Sequence, residues 1–359
     1  MAKKVTSSDV ARLAGVSQTT VSLVLTGNNS VNISSATRER VLSAAHNLGY
    51  EPRKKQTAPA IHSHTIGILI PTLSNPYYTT LIHMIEHFAN QKGYRVLLGN
   101  TSRDKDSEQF YLKLFADNHV SGIIYTFLPS NPILADQVSE SMPVVLIGEK
   151  QDDSHILSIG LSNVKAGLMI GRHLIENGHR NIAFVTTPLE NVTLSRRQRL
   201  EGLQQAMEEA SLPSENITVI AHLCPETDTL YNNIEYELGL RAADELIRKF
   251  PSVTGIVGVN DMTAVGICQG LRQHNCRIPQ DYSVCGFDNI LQSAIAVPSL
   301  TTIDHHLDQR ASVAVNMIVD NNEATHQFSM PLQLNSVSKI EYEPQLICRE
   351  SSGKALVTV

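Results

Sequence analysis

The sequence lacks several features that mark secreted and membrane-embedded proteins. Its 359 residues include no tryptophan, and its five scattered cysteines form no C-x-x-C pair. Isolated cysteines in odd number argue against a disulfide framework and fit reduced thiols. No apolar run approaches the ~20 residues that a membrane-spanning helix needs. The first residues, MAKKVT, lack the apolar region of a signal peptide. We therefore expect a cytoplasmic protein with no membrane partner.

Common enzyme signatures are also missing. Neither G-x-G-x-x-G nor G-x-x-x-x-G-K-[S/T] occurs, and the G-x-S-x-G nucleophile motif is absent, so dinucleotide, P-loop and serine-hydrolase chemistry are not indicated. Residues 83–87, HMIEH, do have the spacing of one class of zinc peptidases. Because Met84, Ile85 and Phe88 would be buried on the same helix, we favour a polar helix face there. We predict no catalytic residue, metal or cofactor.

Charge is distributed unevenly along the chain. The net charge is -6, yet residues 1–60 contain eight Lys/Arg and three acidic residues, which gives +5 and leaves -11 for the remainder. A basic end on an acidic body is expected when only that end meets phosphate. A solvated basic face without a partner is the alternative interpretation.

The first fifty residues predict three short helices, of which the first two form a helix-turn-helix. Thr6 can cap the first helix with Asp9 three residues later, Gly15 permits the left-handed turn that ends it, and Ser17 can cap the second. Ser34 or Ser35 would cap the third. Polar side chains at the start of the second helix are placed to reach base edges in a major groove, and these are Gln18, Thr19, Thr20 and Ser22.

From residue 66 onward, apolar strand-like runs alternate with helical stretches. This alternation predicts parallel sheets, and runs that are apolar on both faces fit strands covered by helices on both sides. Nine strands are more than one compact sheet usually holds, so we predict two doubly wound lobes. The predicted strands are 66–70, 94–98, 121–125, 143–147, 157–161, 181–185, 217–221, 254–259 and 282–287.

Several motifs in one order resemble the LacI/GalR family of bacterial repressors. The N-terminal ones are Thr6-x-x-Asp-Val-Ala-x-x-Ala-Gly-Val-Ser, Thr20-Val-Ser and Leu48-Gly-Tyr-x-Pro, and the body adds Asn75-Pro-Tyr-Tyr, Asn260-Asp and Gly286-Phe-Asp. The resemblance implies an all-α helix-turn-helix headpiece and an α/β, periplasmic-binding-protein-like core of two doubly wound parallel-sheet lobes. It further implies a homodimeric repressor that binds a pseudo-palindromic operator and responds to a small-molecule effector, commonly a sugar or sugar derivative. DNA-bound molecules would lie in the bacterial nucleoid.

The resemblance also divides the chain into segments. Residues 1–50 would be the DNA-binding domain, 51–65 a linker or hinge, 66–345 the effector-binding and dimerisation domain, and 346–359 a tail. Within the core, the N-lobe would comprise about 66–156 with 295–322, and the C-lobe about 157–290 with the C-terminal strands.

Roles in DNA binding follow from position in the family pattern. Gln18 and Thr19 would be the principal contacts to bases. Contacts to the phosphate backbone would come from Thr20, Ser22, Thr6, Ser34, Thr37, Arg38 and the basic linker residues Arg53, Lys54 and Lys55. For Thr6 and Ser34, helix capping alone is the alternative. Leu23 stands where many members have arginine. Pro59 opposes the hinge helix that the family usually has in the linker, so the sequence does not decide whether that helix forms.

The effector would lie between the lobes, at the carboxyl ends of the strands. The candidate contacts are Thr72, Ser74, Tyr77, Phe127, Glu149, Thr193, Arg199, Asn260, Asp261, Phe287 and Asp288. The family pattern ranks Arg199 and Asp288 first, since a forked donor and a bidentate acceptor suit hydroxyl-rich ligands.

Purely structural roles are the alternatives to effector binding: a surface ion pair for Arg199, a helix cap for Asp261, and core packing for Tyr77 and Phe127. A purine-like effector, and a sugar-modifying enzyme with a helical head, are the alternative functions. The sequence leaves open whether the effector induces or co-represses.

Overall fold

The computed structural model describes residues 6–25, 33–48, 50, 63–150, 154, 156–188, 193–222, 234–328 and 339–356. The chain forms two compact units, Met1–Ile61 and His62–Val359. Within the described ranges, every helix is too short or too polar to cross a membrane.

The first unit contains three helices, as the sequence predicts. They are α1 (Ser7–Ala14), α2 (Gln18–Leu25) and α3 (Ser35–Asn47). Gly15 has φ 66°, which confirms the predicted left-handed turn between α1 and α2. All three helices contribute to one small apolar core made of Val10, Ala11, Ala14, Val21, Val24, Val41, Ala44 and Ala45. We call the described part of this unit, residues 6–25, 33–48 and 50, the headpiece.

A residue with a short polar side chain lies at the N-terminus of each headpiece helix. The Asp9 carboxylate accepts hydrogen bonds from the Thr6 amide at 3.0 Å and the Thr6 hydroxyl at 2.6 Å. Ser17 Oγ accepts from the Thr20 amide at 3.1 Å, and Ser34 Oγ accepts from the Thr37 amide at 3.3 Å. These bonds satisfy amide groups that have no partner inside the first turn of a helix.

The second unit contains two six-stranded sheets. The N-lobe sheet is entirely parallel, with the strand order β11-β5-β4-β3-β1-β2. Its strands are β1 (Ser63–Ile70), β2 (Arg95–Asn100), β3 (Val120–Tyr125), β4 (Val144–Ile147), β5 (Leu157–Leu161) and β11 (Lys339–Tyr342). The helices packed on its two faces are α4 (Pro76–Gln91) and α12 (Leu307–Phe328) on one side, and α5 (Lys105–Asp117) and α6 (Pro132–Ser139) on the other.

The C-lobe sheet has the order β12-β10-β9-β8-β6-β7, and only β12 is antiparallel to its neighbour. Its strands are β6 (Ile182–Thr186), β7 (Ile217–Ala221), β8 (Gly255–Gly258), β9 (Ser283–Asp288), β10 (Thr301–Asp304) and β12 (Gln345–Ile347). The helices of this lobe are α7 (Asn163–Glu176), α8 (Leu194–Glu209), α9 (Ile234–Lys249), α10 (Asp261–Gln273) and α11 (Leu291–Ile295). The two doubly wound lobes predicted from the sequence are thereby confirmed.

The lobe boundaries predicted from the sequence need four corrections. Strand β5, predicted in the C-lobe, pairs with β4 in the N-lobe. Strand β11, one of the C-terminal strands predicted in the C-lobe, pairs with β5 in the N-lobe. Strand β10, predicted in the N-lobe, pairs with β9 in the C-lobe. The predicted tail at 346–359 begins inside β12, and Ser351 Oγ donates to the Val284 carbonyl at 2.6 Å. Periodicity identifies strands, but it does not show which sheet a strand joins when the chain crosses between lobes.

Candidate functional site

The headpiece exposes the side chains predicted to contact bases. Gln18 and Thr19 are exposed at the start of α2, and Thr20 is half-buried beside them. Gln18 Nε2 donates to Ser7 Oγ at 2.8 Å, which ties its side chain to the start of α1. Leu23 is half-buried on the same helix. The first turn of α2 thus presents polar groups on a supported surface, as contact with base edges requires.

The residues predicted to contact phosphate are only partly covered by the structure. Thr6 and Ser34 are exposed at helix starts, Thr37 and Arg38 are half-buried in the first turn of α3, and Ser22 belongs to α2. The capping alternative for Thr6 and Ser34 matches their hydrogen bonds. The linker candidates Arg53, Lys54 and Lys55 lie outside the described residues, as does Pro59.

A deep cleft lies between the two lobes of the second unit. It contains about 880 Å³ of space not occupied by protein, including its open mouth, and segments that follow each of β1 to β10 contribute to its wall. The carboxyl ends of parallel strands converge here, which is where doubly wound folds bind ligands. Seven predicted effector contacts line this cleft, namely Tyr77, Phe127, Glu149, Thr193, Arg199, Asn260 and Asp288.

Four predicted contacts do not belong to the described cleft wall, namely Thr72, Ser74, Asp261 and Phe287. Thr72 Oγ1 accepts from the Ser74 amide at 3.1 Å, so that both serve a local turn after β1. The Phe287 ring is completely buried and packs 4.5 Å below the Arg199 guanidinium, which makes it a support for that side chain.

Asp261 is a structural carboxylate behind the cleft. Its Oδ1 accepts from Thr302 Oγ1 at 2.5 Å, and its Oδ2 accepts from the Ile290 amide at 3.2 Å and from the Ser293 hydroxyl. The side chain is fully buried, and burial raises its pKa. Asp261 therefore fastens the segments after β9 to α10 and does not face a ligand; Asn260 is the residue that caps α10, through bonds to Thr263.

Arg199 is the central cation of the cleft. Its side chain is only 8% exposed, Nε donates to Asn163 Oδ1 at 2.9 Å, and Nη1 donates to the Val259 carbonyl at 2.6 Å. The proposed alternative, an ion pair on the helix surface, is therefore wrong. Gly167 of α7 explains how Arg199 comes so close to α7, because a Cβ there would lie 2.1 Å from the Arg199 carbonyl oxygen.

Asp288 and His305 face each other across the C-lobe side of the cleft, with 3.8 Å between Oδ1 and Nε2. Burial and the nearby Asp261 raise the pKa of Asp288 well above its usual range, and Arg199 partly opposes this shift. Burial, with the charges of Arg199 and Arg310, lowers the pKa of His305 well below its usual range. At neutral pH His305 is an uncharged ring that can exchange hydrogen bonds with a ligand.

A polar bridge joins the lobes across the cleft. Asn75, at the start of α4, donates from Nδ2 to Glu235 of α9. Glu235 Oε1 also accepts from Arg196 at 2.7 Å, and Arg196 Nη1 donates to Thr187 Oγ1 at 2.8 Å. The bridge connects an N-lobe helix to two C-lobe helices, so it couples the separation of the lobes to these side chains.

Sequence reasoning missed ten polar residues of the wall, namely Asn75, Tyr78, Arg103, Thr126, Asn163, Ser195, Arg196, Glu235, His305 and Arg310. The strand-end rule could have found Arg103 and Asn163, because they follow β2 and β5 by only a few residues. No comparable signal marks Glu235 or Arg310, which reach the cleft from helices.

The zinc-peptidase spacing lies on α4, away from the cleft. His83, Glu86 and His87 are exposed there, while Met84 and Phe88 are half-buried against the core. His87 Nε2 shares a hydrogen bond with Gln91 at 2.9 Å. Within the described ranges, no three His, Cys, Asp or Glu side chains are grouped so that they could hold a metal.

Two family models match this chain. One, described as bacterial regulatory proteins of the lacI family, matches residues 6–53, and the other, described as periplasmic binding proteins and the sugar binding domain of the LacI family, matches residues 63–337. Curated relatives include the transcriptional repressor PurR of Aliivibrio salmonicida, 28% identical over 97% of this chain and 99% of the relative. Catabolite control protein A of Priestia megaterium is 30% identical over 88% of this chain and 91% of its own length.

Solved structures share the fold. A periplasmic binding protein/LacI transcriptional regulator from Alkaliphilus metalliredigens, complexed with D-xylulofuranose, is 26% identical, covers 81% of this chain and 99% of its own, and has a TM-score of 0.66. The regulator CelR in its cellobiose complex is 22% identical, covers 97% of this chain and all of its own (100%), and has a TM-score of 0.65. The similar proteins named here are regulators and not enzymes.

Proposed function

Because the chain belongs to the LacI family of bacterial regulatory proteins, and is a DNA-binding transcriptional repressor with a ligand-binding domain, we propose that it acts as a homodimer on a pseudo-palindromic operator. A sugar or sugar derivative in the cleft between the lobes controls its binding to DNA. The protein works in the bacterial cytoplasm, and DNA-bound molecules lie in the nucleoid.

The exposed first turn of α2 carries the DNA part of this proposal. Gln18 and Thr19 supply amide and hydroxyl groups, which can pair with base edges in the major groove. The capped first turn of α3, with Thr37 and Arg38, and the linker cations Arg53 to Lys55 contact the phosphates. Two identical heads on a two-fold dimer contact two half-sites about one DNA turn apart.

The effector part of this proposal rests on polar atoms of the cleft that have no hydrogen-bond partner in the described structure. Glu149 Oε1 accepts from Asn163 Nδ2 at 3.0 Å, whereas Glu149 Oε2 is buried without a partner among the described residues. In the same described part of the chain, Arg310 Nε and His305 Nε2 are also buried without a hydrogen bond. A buried polar atom without a partner is costly, so these groups suit a ligand with several hydroxyls that donate and accept. The bound D-xylulofuranose of the 26% identical regulator is a ligand of this kind.

The DNA roles are tested by fluorescence anisotropy of the full-length protein on an operator selected from random duplexes. We expect Gln18→Ala to weaken binding to the selected operator by about 10-fold or more per half-site, with little change on random DNA. Lys54→Ala should weaken both DNAs alike and reduce the salt slope by about one per half-site. Ser43→Ala, exposed on α3 outside the predicted contacts, is the control. Equal losses on both DNAs for Gln18→Ala would contradict its role in base recognition.

The effector class is tested by thermal shift of the full-length protein against sugars and nucleobases. A ligand that binds only the folded protein raises the melting temperature, and above its Kd the shift grows with the logarithm of the ligand concentration. We expect at least one sugar or sugar derivative to raise it and to change operator affinity. A shift caused by nucleobases alone would contradict a sugar effector. Sedimentation of the protein with and without operator tests the homodimer.

A further inference from the structure

The positive and negative charges of the ionisable side chains in the cleft wall do not cancel. Four arginines line it, Arg103, Arg196, Arg199 and Arg310, against three carboxylates, those of Glu149, Glu235 and Asp288. His305 adds no charge at neutral pH, because burial and nearby arginines hold its pKa well below the usual range. A raised pKa of Asp288 weakens the acidic side further. The described wall is therefore positive overall.

Three of the four arginines are already engaged within the protein. Arg196 pairs with Glu235 at 2.7 Å. Arg199 donates to Asn163 and to the Val259 carbonyl and lies on Phe287. Arg310 Nη2 donates to the Ile159 carbonyl at 3.1 Å.

Arg103 differs from these three, because within the described ranges its guanidinium contacts neither a carboxylate nor a carbonyl oxygen. Within the described ranges, no carboxylate lies within 4.0 Å of it, and its recorded contacts are the Tyr78 hydroxyl, 3.4 Å from Nη2, and the Phe127 ring, whose centre is 6.0 Å away. Its guanidinium therefore faces the cleft without a matching charge.

The backbone around Arg103 is held in place. Ser102 and Arg103 have φ values of 51° and 58°, in the left-handed region that non-glycine residues seldom adopt. The buried Thr101 stabilises this turn, because its Oγ1 accepts from the Arg103 amide at 3.3 Å and donates to the Ile70 carbonyl at 3.2 Å. A turn fixed to the end of β1 presents Arg103 at the cleft with little freedom of its backbone.

The Tyr78 hydroxyl completes the local environment. Burial raises its pKa to about 12, while the charges of Arg103 and Arg196 act in the opposite direction. Tyr78 therefore remains protonated at neutral pH and can donate a hydrogen bond next to Arg103. A neutral O–H donor beside a guanidinium is a suitable pair for an anionic oxygen.

We propose that the effector carries an anionic group, a phosphate or a carboxylate, which Arg103 and the Tyr78 hydroxyl bind at the N-lobe rim of the cleft. The hydroxyl-bearing part of the same molecule occupies the region of Glu149, Asn163 and Arg199. This inference rests on the proposed sugar effector and specifies its chemical class as a sugar phosphate or a sugar acid.

The test uses isothermal titration of the full-length protein with matched sugars. The panel consists of glucose, glucose 6-phosphate and gluconate, together with ribose, ribose 5-phosphate and ribonate, and inorganic phosphate. For one of the two sugars at least, we expect the phosphate or the acid to bind at least 10-fold more tightly than the neutral form, and its affinity to fall with added NaCl. The phosphate and acid members distinguish the two sources of the anionic group.

Arg103 is examined in the same titrations. Arg103→Gln should weaken the anionic ligand about 10- to 100-fold, the range expected when a charge-assisted hydrogen bond is removed. It should leave the neutral sugar unchanged, and Arg103→Lys should retain part of the affinity. Arg95→Gln is the matched control, because Arg95 is exposed on β2 of the same lobe and bonds only to Asn90 in the described structure.

The outcomes separate this inference from the proposed function. Equal affinity for neutral and anionic sugars overturns the inference and leaves the sugar effector intact. Equal weakening of both forms by Arg103→Gln shows a merely structural role and also overturns it. If no panel sugar of either charge binds while a nucleobase does, the sugar effector and the inference both fail.

Discussion

The headpiece and the cleft use polar side chains in opposite ways. In the headpiece, an apolar core of eight small side chains supports polar groups that remain on the surface of α2. In the cleft, polar and charged side chains such as Arg199, Asp288 and Arg310 are themselves buried. Under the proposed function, recognition of DNA would depend on the packing beneath the exposed residues of α2, whereas recognition of the effector would depend on hydrogen bonds among the cleft residues.

This difference predicts that substitutions in the headpiece core and substitutions in the cleft have different effects on binding. A change in the headpiece core should remove DNA binding without touching the effector, since the headpiece and the body are distinct compact units. A change in the cleft network should remove the response to effector and leave binding to the operator.

The largest effect is expected from Val21→Asp. Val21 is fully buried in the headpiece core, and an unpaired carboxylate there costs several kcal/mol, comparable with the whole stability of so small a unit. We expect the headpiece to unfold and operator binding to disappear, while effector binding persists, as measured by anisotropy and titration. Leu13→Asp, at a side chain that is 55% exposed on α1, should leave the headpiece folded. Loss of effector binding in Val21→Asp would show that the two units are not independent.

Arg199→Gln is expected to weaken effector binding about 100-fold. The substitution removes charge-assisted hydrogen bonds worth about 1.5 kcal/mol or more each, and two of them correspond to that factor. Operator binding without effector should stay near that of the unmodified protein. Arg197→Gln is the control, since Arg197 is exposed on the same helix. Unchanged effector affinity in Arg199→Gln would remove Arg199 from the binding site.

A smaller effect is expected from pH. His179 is buried, its Nδ1 pairs with Thr254 Oγ1 at 2.9 Å and its Nε2 lies 3.1 Å from the Gly353 carbonyl, and burial lowers its pKa. Below pH ~6.5 the unfolded chain takes up a proton that folded His179 does not, so the stability of the body falls by at most ~1.4 kcal/mol per pH unit from this group.

The His179 contribution is measured as the difference between the unfolding curves of the unmodified protein and His179→Gln at pH 7.5, 6.5 and 5.5. That difference cancels the opposite pH dependence of Asp261 and Asp288, whose pKa values are raised. The variant should lose less stability on acidification. An identical acid response in both proteins would assign the pH dependence elsewhere.

Much of the fold could be predicted from local sequence patterns. All nine predicted strands are present within a few residues of their predicted bounds, because strands buried on both faces leave continuous apolar runs. Local patterns gave no bounds for strands β10, β11 and β12, although the family resemblance implied strands at the C-terminus. They have three or four residues each, and β11 and β12 are largely half-exposed, so their apolar signal is weak.

The exposed face of the headpiece was easier to predict from the sequence than the residues of the cleft. The exposure of Gln18 and Thr19 could be predicted from α2 and the turn before it, since one short segment fixes which of its faces is exposed. Asp261 shows the limit, because its place at a strand end suggested a ligand contact, while its hydroxyl partners come from residues 32 and 41 positions away.

The sequence alone determined the caps, the Gly15 turn, the alternation of strands and helices and the face of α2 that remains polar, because these depend on neighbours within about one turn or one strand. Only the tertiary structure decided which sheet β5 and β10 join, that Glu235 and Arg196 bridge to Asn75, and that Arg103 faces the cleft without a carboxylate partner in the described chain. Those outcomes depend on backbone pairing between strands and on contacts between side chains that are distant along the chain, and no local pattern encodes these partners.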